Sequence, residues 1–176
     1  MLKEEIVVRI KSILILSFVF LFVTCSASDN RSNAGADSAG LEKAPDFSVI
    51  DLDGNTLTNA DLMGKVVLIN FWATWCPPCR QEIPDFIEIY KELKDSGFVI
   101  LGLAVSDRES NVRRFVKDQG INYPVAMAPD ALVAAFQPGQ YIPATIIVDP
   151  EGNIRDKHVG VMDTTMIKRI FSELKK

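Results

Sequence analysis

Histidine occurs once in this chain of 176 residues, and cysteine only three times. A structural zinc site takes about four nitrogen or sulfur ligands. With Cys76 and Cys79 taken as a pair, only Cys25 and His158 remain to complete such a set, which argues against zinc. Basic residues are also outnumbered. The chain has 19 Lys and Arg against 23 Asp and Glu, for a formal net charge of −4. No basic field invites nucleic acid, and none is expected as a partner. The N-terminal apolar run, residues 13–23, falls short of the roughly 20 residues that span a bilayer as a helix. No internal repeat is present, and the length suits one domain with appendages.

Against these absences one stretch carries the chemistry, Trp75-Cys76-Pro77-Pro78-Cys79. The two thiols, separated by two residues, directly follow the apolar run Val66 to Trp72. Downstream, Ile83, Phe86, Ile87, Tyr90 and Leu93 recur at helical spacing. The pair therefore belongs at a strand-to-helix junction, where unpaired backbone N–H groups and the helix dipole favour thiolate over thiol. Thiolate is the nucleophile, and such sites bring a cysteine pKa from about 8.5 down to roughly 3.5–7.5. Haem attachment needs His after the second cysteine, and Arg80 is there. A purely structural disulfide closing so short a loop constrains little of the unfolded chain. The context reads as a dithiol–disulfide redox centre, with no added cofactor expected.

The N-terminus has the pattern of a targeting signal. Lys3, Arg9 and Lys11 precede the apolar run, and Thr24-Cys25-Ser26-Ala27 follows it. The run has the length of a signal-peptide h-region. Extending it back to Ile6 would bury Arg9 and Lys11 at a cost, so export across a membrane is expected. Phe22-Val23-Thr24-Cys25 resembles a bacterial lipobox, whose cysteine is acylated and becomes the mature N-terminus. It departs from that pattern at Phe22, where Leu is favoured, and at Thr24, where Gly or Ala is. Cleavage after Ala27 would instead remove Cys25, and a retained anchor is a further option. The lipoprotein is the preferred reading, with residues 1–25 as signal and Cys25 as the lipidation site. Residues 26–44 are small and polar without periodicity, unable to bury enough apolar surface to offset their ordering entropy. They read as a flexible linker reaching ~25 Å, at about 5–6 Å × √n.

Residues 45–176 read as the folded domain. Phe47 to Ile50 and Thr56 to Thr58 flank Asp51-Leu52-Asp53-Gly54-Asn55, a hairpin turn. A short helix is expected over 59–63, a strand over 66–72, a helix over 78–95, and a strand over 98–105. Two strands without polar alternation imply a sheet covered on both faces. Val112, Phe115 and Val116 mark a helix over 110–119, before a strand near 124–128 and a helix over 130–136. Ala144 to Val148 and Ile154 to Val159 form a terminal hairpin around Asp149-Pro150-Glu151-Gly152-Asn153, and 164–174 closes the chain as a helix. Strands alternating with helices make an α/β domain with a mixed sheet.

These elements and motifs together resemble the TlpA/ResA-like branch of the thioredoxin fold, membrane-tethered extracytoplasmic thiol–disulfide oxidoreductases. The resemblance covers residues 45–176. It rests on Phe71-Trp72-Ala73-Thr74-Trp75-Cys76-Pro77-Pro78-Cys79, on Pro84, and on Ile142-Pro143-Ala144-Thr145. The N-terminal β-hairpin and the inserted helix–strand unit near 110–128 are also features of that family. It implies a thioredoxin fold whose mixed sheet is flanked by helices.

Cys76, nearer the helix end, is the expected nucleophile, and Cys79 the resolving thiol. Pro77 and Pro78 stiffen the turn and belong with Trp75 to the substrate surface. By resemblance the Ile142–Pro143 bond is cis and packs on the dithiol, leaving the Ile142 backbone to pair with substrate. Glu82 admits two readings. The pattern Cys-x-x-Cys-x-x-Glu is similar to the active-site glutamate of ResA-like proteins, which handles a proton. Cytoplasmic thioredoxins carry a buried Asp for that purpose where this chain has Asn70. A first-turn Glu that merely stabilises the helix dipole is the other reading. Trp72 reads as core, Pro84 as a helix kink, His158 as solvated or structural, and Arg113, Arg114 and Lys117 as a wet helix face.

The resemblance implies reduction of disulfides in protein substrates, such as apocytochrome c or metal-site cysteines, with electrons from a membrane dithiol donor. A thiol peroxidase is the alternative, because Ala44-Pro45-Asp46-Phe47 and Gly64-Lys65-Val66-Val67-Leu68 also occur in peroxiredoxin-like chains. Peroxidases place Pro and Thr seven and three residues before the reactive cysteine, where this chain has Ile69 and Ala73. A tethered binding module without turnover is a third reading, and the intact thiol pair counts against it.

Overall fold

Val66–Trp72 and Phe98–Ala104 are apolar apart from Asn70 and Gly102, and every residue of both is buried. Successive side chains of a strand point to opposite faces, so such runs need cover on both sides. The computed structural model describes residues 40–175 and supplies that cover. The signal, Cys25 and the linker as far as residue 39 lie outside the described residues.

In chain order the elements are β1 (Ser48–Ile50), β2 (Thr56–Thr58), α1 (Asn59–Leu62), β3 (Val66–Trp72) and α2 (Pro77–Leu93). They continue with β4 (Phe98–Ala104), α3 (Glu109–Gln119), β5 (Val125–Met127), α4 (Asp130–Phe136), β6 (Ala144–Val148), β7 (Ile154–Val159) and α5 (Thr164–Leu174). The main sheet runs β5-β4-β3-β6-β7. β3, β4 and β5 are parallel, whereas β6 and β7 are antiparallel to their neighbours. This is the mixed sheet of a thioredoxin fold, with β1 and β2 as a separate hairpin and α3–β5 as the inserted unit.

Side chains of β3 and β4 divide between two cores. Leu68, Trp72 and Ile100 pack with Ile83, Phe86 and Ile89 of α2 and Ile167 of α5. Val67, Ile69, Phe71, Leu101 and Leu103 pack with Val49, Leu62, Leu132 and Phe136 on the other face. Both hairpin turns share Asp-x-x-Gly-Asn. In each, the Asp carboxylate accepts from the backbone N–H groups two and four residues on. Gly54 and Gly152 take the positive φ angles these turns require, 89° and 81°.

Most element boundaries lie within one or two residues of expectation, and the end of the linker differs in a way that has a physical reason. The Ala44 N–H donates to the Gly152 carbonyl at 3.0 Å, and the Ile154 N–H to the Glu42 carbonyl at 2.7 Å. Residues 42–44, linker-like in composition, are therefore pinned to the domain, because backbone pairing asks nothing of side-chain polarity. α2 spans Pro77–Leu93 where 78–95 was expected, runs through Pro84 as expected, and gives way to a 3-10 turn over Lys94–Ser96. Among the described residues no helix is long and apolar enough to cross a membrane.

Phe86 is fully buried and meets Tyr123 edge-on, with ring centroids 6.2 Å apart. Phe86→Ala should lower the unfolding free energy by about 3–5 kcal/mol. Urea titration should show this as a lower midpoint with an unchanged slope.

Candidate active site

β3 ends at Trp72 and hands the chain through Ala73, Thr74 and Trp75 to Cys76, the N-cap of α2. That loop is held from outside. The Asp107 carboxylate accepts from the Thr74 N–H at 2.8 Å and from its hydroxyl at 2.6 Å. The Trp75 indole donates to the Ser106 carbonyl at 3.0 Å. Burial pushes the Asp107 carboxyl up, but hydrogen bonds from Thr74, Arg108 and Asn111 outweigh it and hold the group below its ordinary value. An anionic Asp107 thus fixes the loop that sets Cys76.

Cys76 and Cys79 are joined as a disulfide. Cys76 retains 3% of its surface and Cys79 none, so only Cys76 can be approached from outside. The Cys76 sulfur accepts from the Cys79 N–H at 3.2 Å. Pro77 and Pro78 open the helix and have no N–H to offer. The Arg80 N–H is engaged by the Cys76 carbonyl at 3.1 Å. One backbone donor is therefore left for the sulfur, where a helix start ordinarily presents several. Stabilisation of a Cys76 thiolate rests on that bond and on the helix dipole.

The Ile142–Pro143 bond is cis. Pro143 is buried, Ile142 is half-buried, and the Ile142 carbonyl oxygen lies 3.7 Å from the Cys76 sulfur. Around them Trp75, Pro77, Pro78 and Tyr141 are exposed. Tyr141, at 74% exposure, is the residue of this rim that sequence reasoning missed. Its signal was an aromatic adjoining Ile142-Pro143.

Glu82 lies one turn beyond Cys79 and is fully buried. It is not a first-turn residue, and the first turn of α2 contains no acid, so the dipole-stabilising reading does not hold. One carboxylate oxygen accepts from the Asn70 amide at 2.9 Å, and the other from the Met162 N–H at 3.2 Å. Burial pushes the carboxyl up to about 7, against the opposing pull of those two hydrogen bonds. Tyr123, also buried, has its phenol raised by burial and further by the charge of Glu82. A group near 7 beside a thiol pair can both take and give a proton at neutral pH.

The remaining sequence candidates fall elsewhere. Trp72 is core and stacks at a tilt on Phe115, 5.6 Å between centroids. His158 is half-buried on β7, its Nε2 without a hydrogen-bond partner. Arg113, Arg114 and Lys117 are exposed, although Arg113 also donates to the Leu52 carbonyl at 2.6 Å. A cavity of about 520 Å³ lies between residues 43–47, α1 and the 148–152 turn, and includes no residue of the dithiol site.

Comparison with known proteins agrees with this geometry. A family model described as the AhpC/TSA family matches residues 41–157. The thiol-disulfide oxidoreductase ResA of Bacillus subtilis is 34% identical over 132 residues, covering 75% of this chain and 74% of that protein. The thioredoxin-like protein YneN of the same organism is 38% identical over 123 residues, with coverages of 69% and 72%. The crystal structure of a thiol:disulfide interchange protein of the thioredoxin family from Chlorobium tepidum aligns with a TM-score of 0.75 at 37% identity. That alignment covers 80% of this chain and 100% of the other.

The raised Glu82 carboxyl links stability to pH. Its folded value, about 7, exceeds the ordinary 4.5, so the native state binds the extra proton between those limits. Stability should therefore fall as pH rises from the lower value through the upper, by on the order of 3 kcal/mol for this group alone. Denaturant titrations of the oxidised protein at a series of pH values should show that decline. In Glu82→Gln the component should be missing.

Proposed function

Because the chain belongs to the AhpC/TSA family, among the ResA-like thiol-disulfide oxidoreductases of thioredoxin fold, we propose that it reduces protein disulfides outside the cytoplasm. The observation that carries this reading is the Cys76–Cys79 pair at the start of α2, one sulfur reachable and the other sealed. Cys76 thiolate attacks one sulfur of the substrate disulfide. A Cys76–substrate bond forms, and the other substrate sulfur leaves as thiolate and takes a proton. Cys79 then loses its proton and attacks the Cys76 sulfur, releasing the second substrate sulfur, which is protonated in turn. Substrate gains two electrons and two protons, and the enzyme ends in the disulfide form. A membrane dithiol donor returns it to the dithiol.

Each further residue has a place in that sequence. Trp75, Pro77, Pro78 and Tyr141 present an uncharged rim to the segment carrying the disulfide. Ile142, beside the Cys76 sulfur, offers backbone to an extended substrate chain, with Pro143 packed beneath. Glu82 takes the proton of Cys79 when resolution begins. Apocytochrome c and metal-site cysteines are substrates of the required kind, each a polypeptide whose thiols must be reduced before a prosthetic group or metal is attached. The location follows from the basic residues ahead of the apolar run at 13–23 and the lipobox-like Cys25, which tethers the domain to the membrane.

Two experiments address this proposal. Cys76→Ser should abolish reduction of a model protein disulfide, whereas Cys79→Ser should accumulate a mixed disulfide through Cys76. Turnover surviving in Cys79→Ser would rule out the two-thiol mechanism, and peroxide consumption rivalling disulfide reduction would favour a peroxidase. For the anchor, mass spectrometry of the membrane fraction should find a mature N-terminus at Cys25 carrying lipid. A soluble protein beginning at Ser28 would remove the lipid anchor and leave the redox chemistry standing.

A further inference from the structure

Asn70 sits in the middle of β3, where the strand is otherwise apolar, and is buried. A side-chain amide there must use its polar atoms or leave them unpaired at a cost. Its nitrogen carries two protons and meets two acceptors, Glu82 Oε1 at 2.9 Å and Thr145 Oγ1 at 3.0 Å. The carboxylate can only accept, so the nitrogen is the atom that must face it. Thr145 is itself fully buried on β6 and stands directly opposite Asn70 in the β3–β6 register. The hydroxyl is thus carried by the sheet, and the amide is held by the hydroxyl. Both amide protons are committed, which fixes the rotation of the group that touches Glu82.

We propose that Asn70 and Thr145 are positioning residues for Glu82: Thr145 orients the Asn70 amide, and the amide holds the carboxylate one turn from Cys79 and favours its anionic form. The inference rests on the reading of Glu82 as the group that handles the Cys79 proton. A hydrogen bond donated to a carboxylate stabilises the ionised state, so losing it moves ionisation to higher pH. The neighbours of Glu82 allow that effect to be isolated. On its own helix Cys79 lies one turn before it, and neither Cys79 nor Cys76 titrates while the two are joined as a disulfide. From the segment before β5 it is faced by Tyr123, whose phenol is shifted further up, away from neutral pH. The segment before α5 presents the Met162 N–H, and the adjoining Asp163 carboxylate caps Met166. Further along α2 lies Asp85, whose carboxyl is pushed up by burial and by the neighbouring charges of Asp163 and Glu88. From β7, His158 stands opposite Thr145 in the register and is a further group to control. Among the described residues no Lys or Arg forms an ion pair with Glu82.

The test follows the Glu82 side-chain carboxyl shift by NMR in the oxidised protein, alongside the pH profile of disulfide exchange in the reduced one. Asn70→Leu should move the carboxyl inflection upward by about one pH unit, a tenfold change in the ionisation constant. Thr145→Val should move it in the same direction by less, and Thr145→Ser, which keeps the hydroxyl, should restore it. These two variants hold the question open to test if Asn70→Leu does not fold. The exchange-rate inflection should shift in parallel and should be absent in Glu82→Gln, with or without Asn70→Leu. An exchange profile unchanged by Glu82→Gln overturns the reading of Glu82 and the positioning role with it. An effect of Glu82→Gln with an unmoved carboxyl inflection in Asn70→Leu and Thr145→Val overturns the positioning inference alone. Loss of the exchange inflection in His158→Gln would assign it to the histidine and refute the proposal equally.

Discussion

Glu82 is a carboxyl group taken out of water beneath a redox pair, and much of the domain is arranged around that fact. Moving a carboxylate into a protein interior costs on the order of several kcal/mol unless hydrogen bonds replace its hydration. Here the replacements come from Asn70, 12 residues away in sequence, and Met162, 80 residues away. Neither donor is on α2. The carboxylate is satisfied only when α2 lies against β3 and the segment leading into α5 has closed over it. The two donors meet the cost in part, and burial remains the dominant influence, which leaves the group near neutrality.

The start of α2 shows the opposite adjustment. A helix N-terminus favours an anion through its free N–H groups and its dipole. Pro77 and Pro78 withdraw two of those donors, and Asp107 fixes the loop through Thr74. Helix start and buried acid therefore act on the two cysteines with different signs. The dipole draws negative charge to Cys76, and an ionised Glu82 opposes a second negative charge at Cys79.

Most of the fold was legible because it depends on local signals. β3 and β4 lack polar alternation, and the structure buries both completely. α3, α4 and α5 lie within a residue of where apolar spacing set them, and both hairpins turn on Asp-x-x-Gly-Asn. The dithiol was legible for the same reason, since two cysteines and two prolines after a buried strand define their own geometry. What escaped depends on distance in sequence. Asp107 grips Thr74 across 33 residues, and no local pattern marks the pair. Residues 42–44 looked like linker because composition says nothing of backbone pairing. Asn70 was legible only as the absence of an acid. Its position as donor to Glu82 requires knowing that α2 crosses β3 with that register. Tyr141 was overlooked because its exposure is decided by the fold and not by its neighbours in sequence.

The relation between Asn70 and Glu82 also explains how the acid can stand on the helix instead of the strand. A carboxyl at position 70 of β3, in register with Gly102 and Thr145, would have its place set by the strand and not by the helix that carries Cys79. Placed on α2, it shares a rigid element with Cys79, so its spacing from that cysteine is fixed by helix geometry, about 1.5 Å of rise per residue. The strand position is then free to hold a donor that cannot titrate. An amide there stabilises the anion without adding a second ionisable group, which would couple to the first and split its titration. In the proposed exchange this separation matters at one step. Cys76, drawn by the dipole, ionises first and attacks. Cys79 ionises later, when Glu82 accepts its proton, and a carboxyl poised near 7 does so without the thiol having to be acidic beforehand.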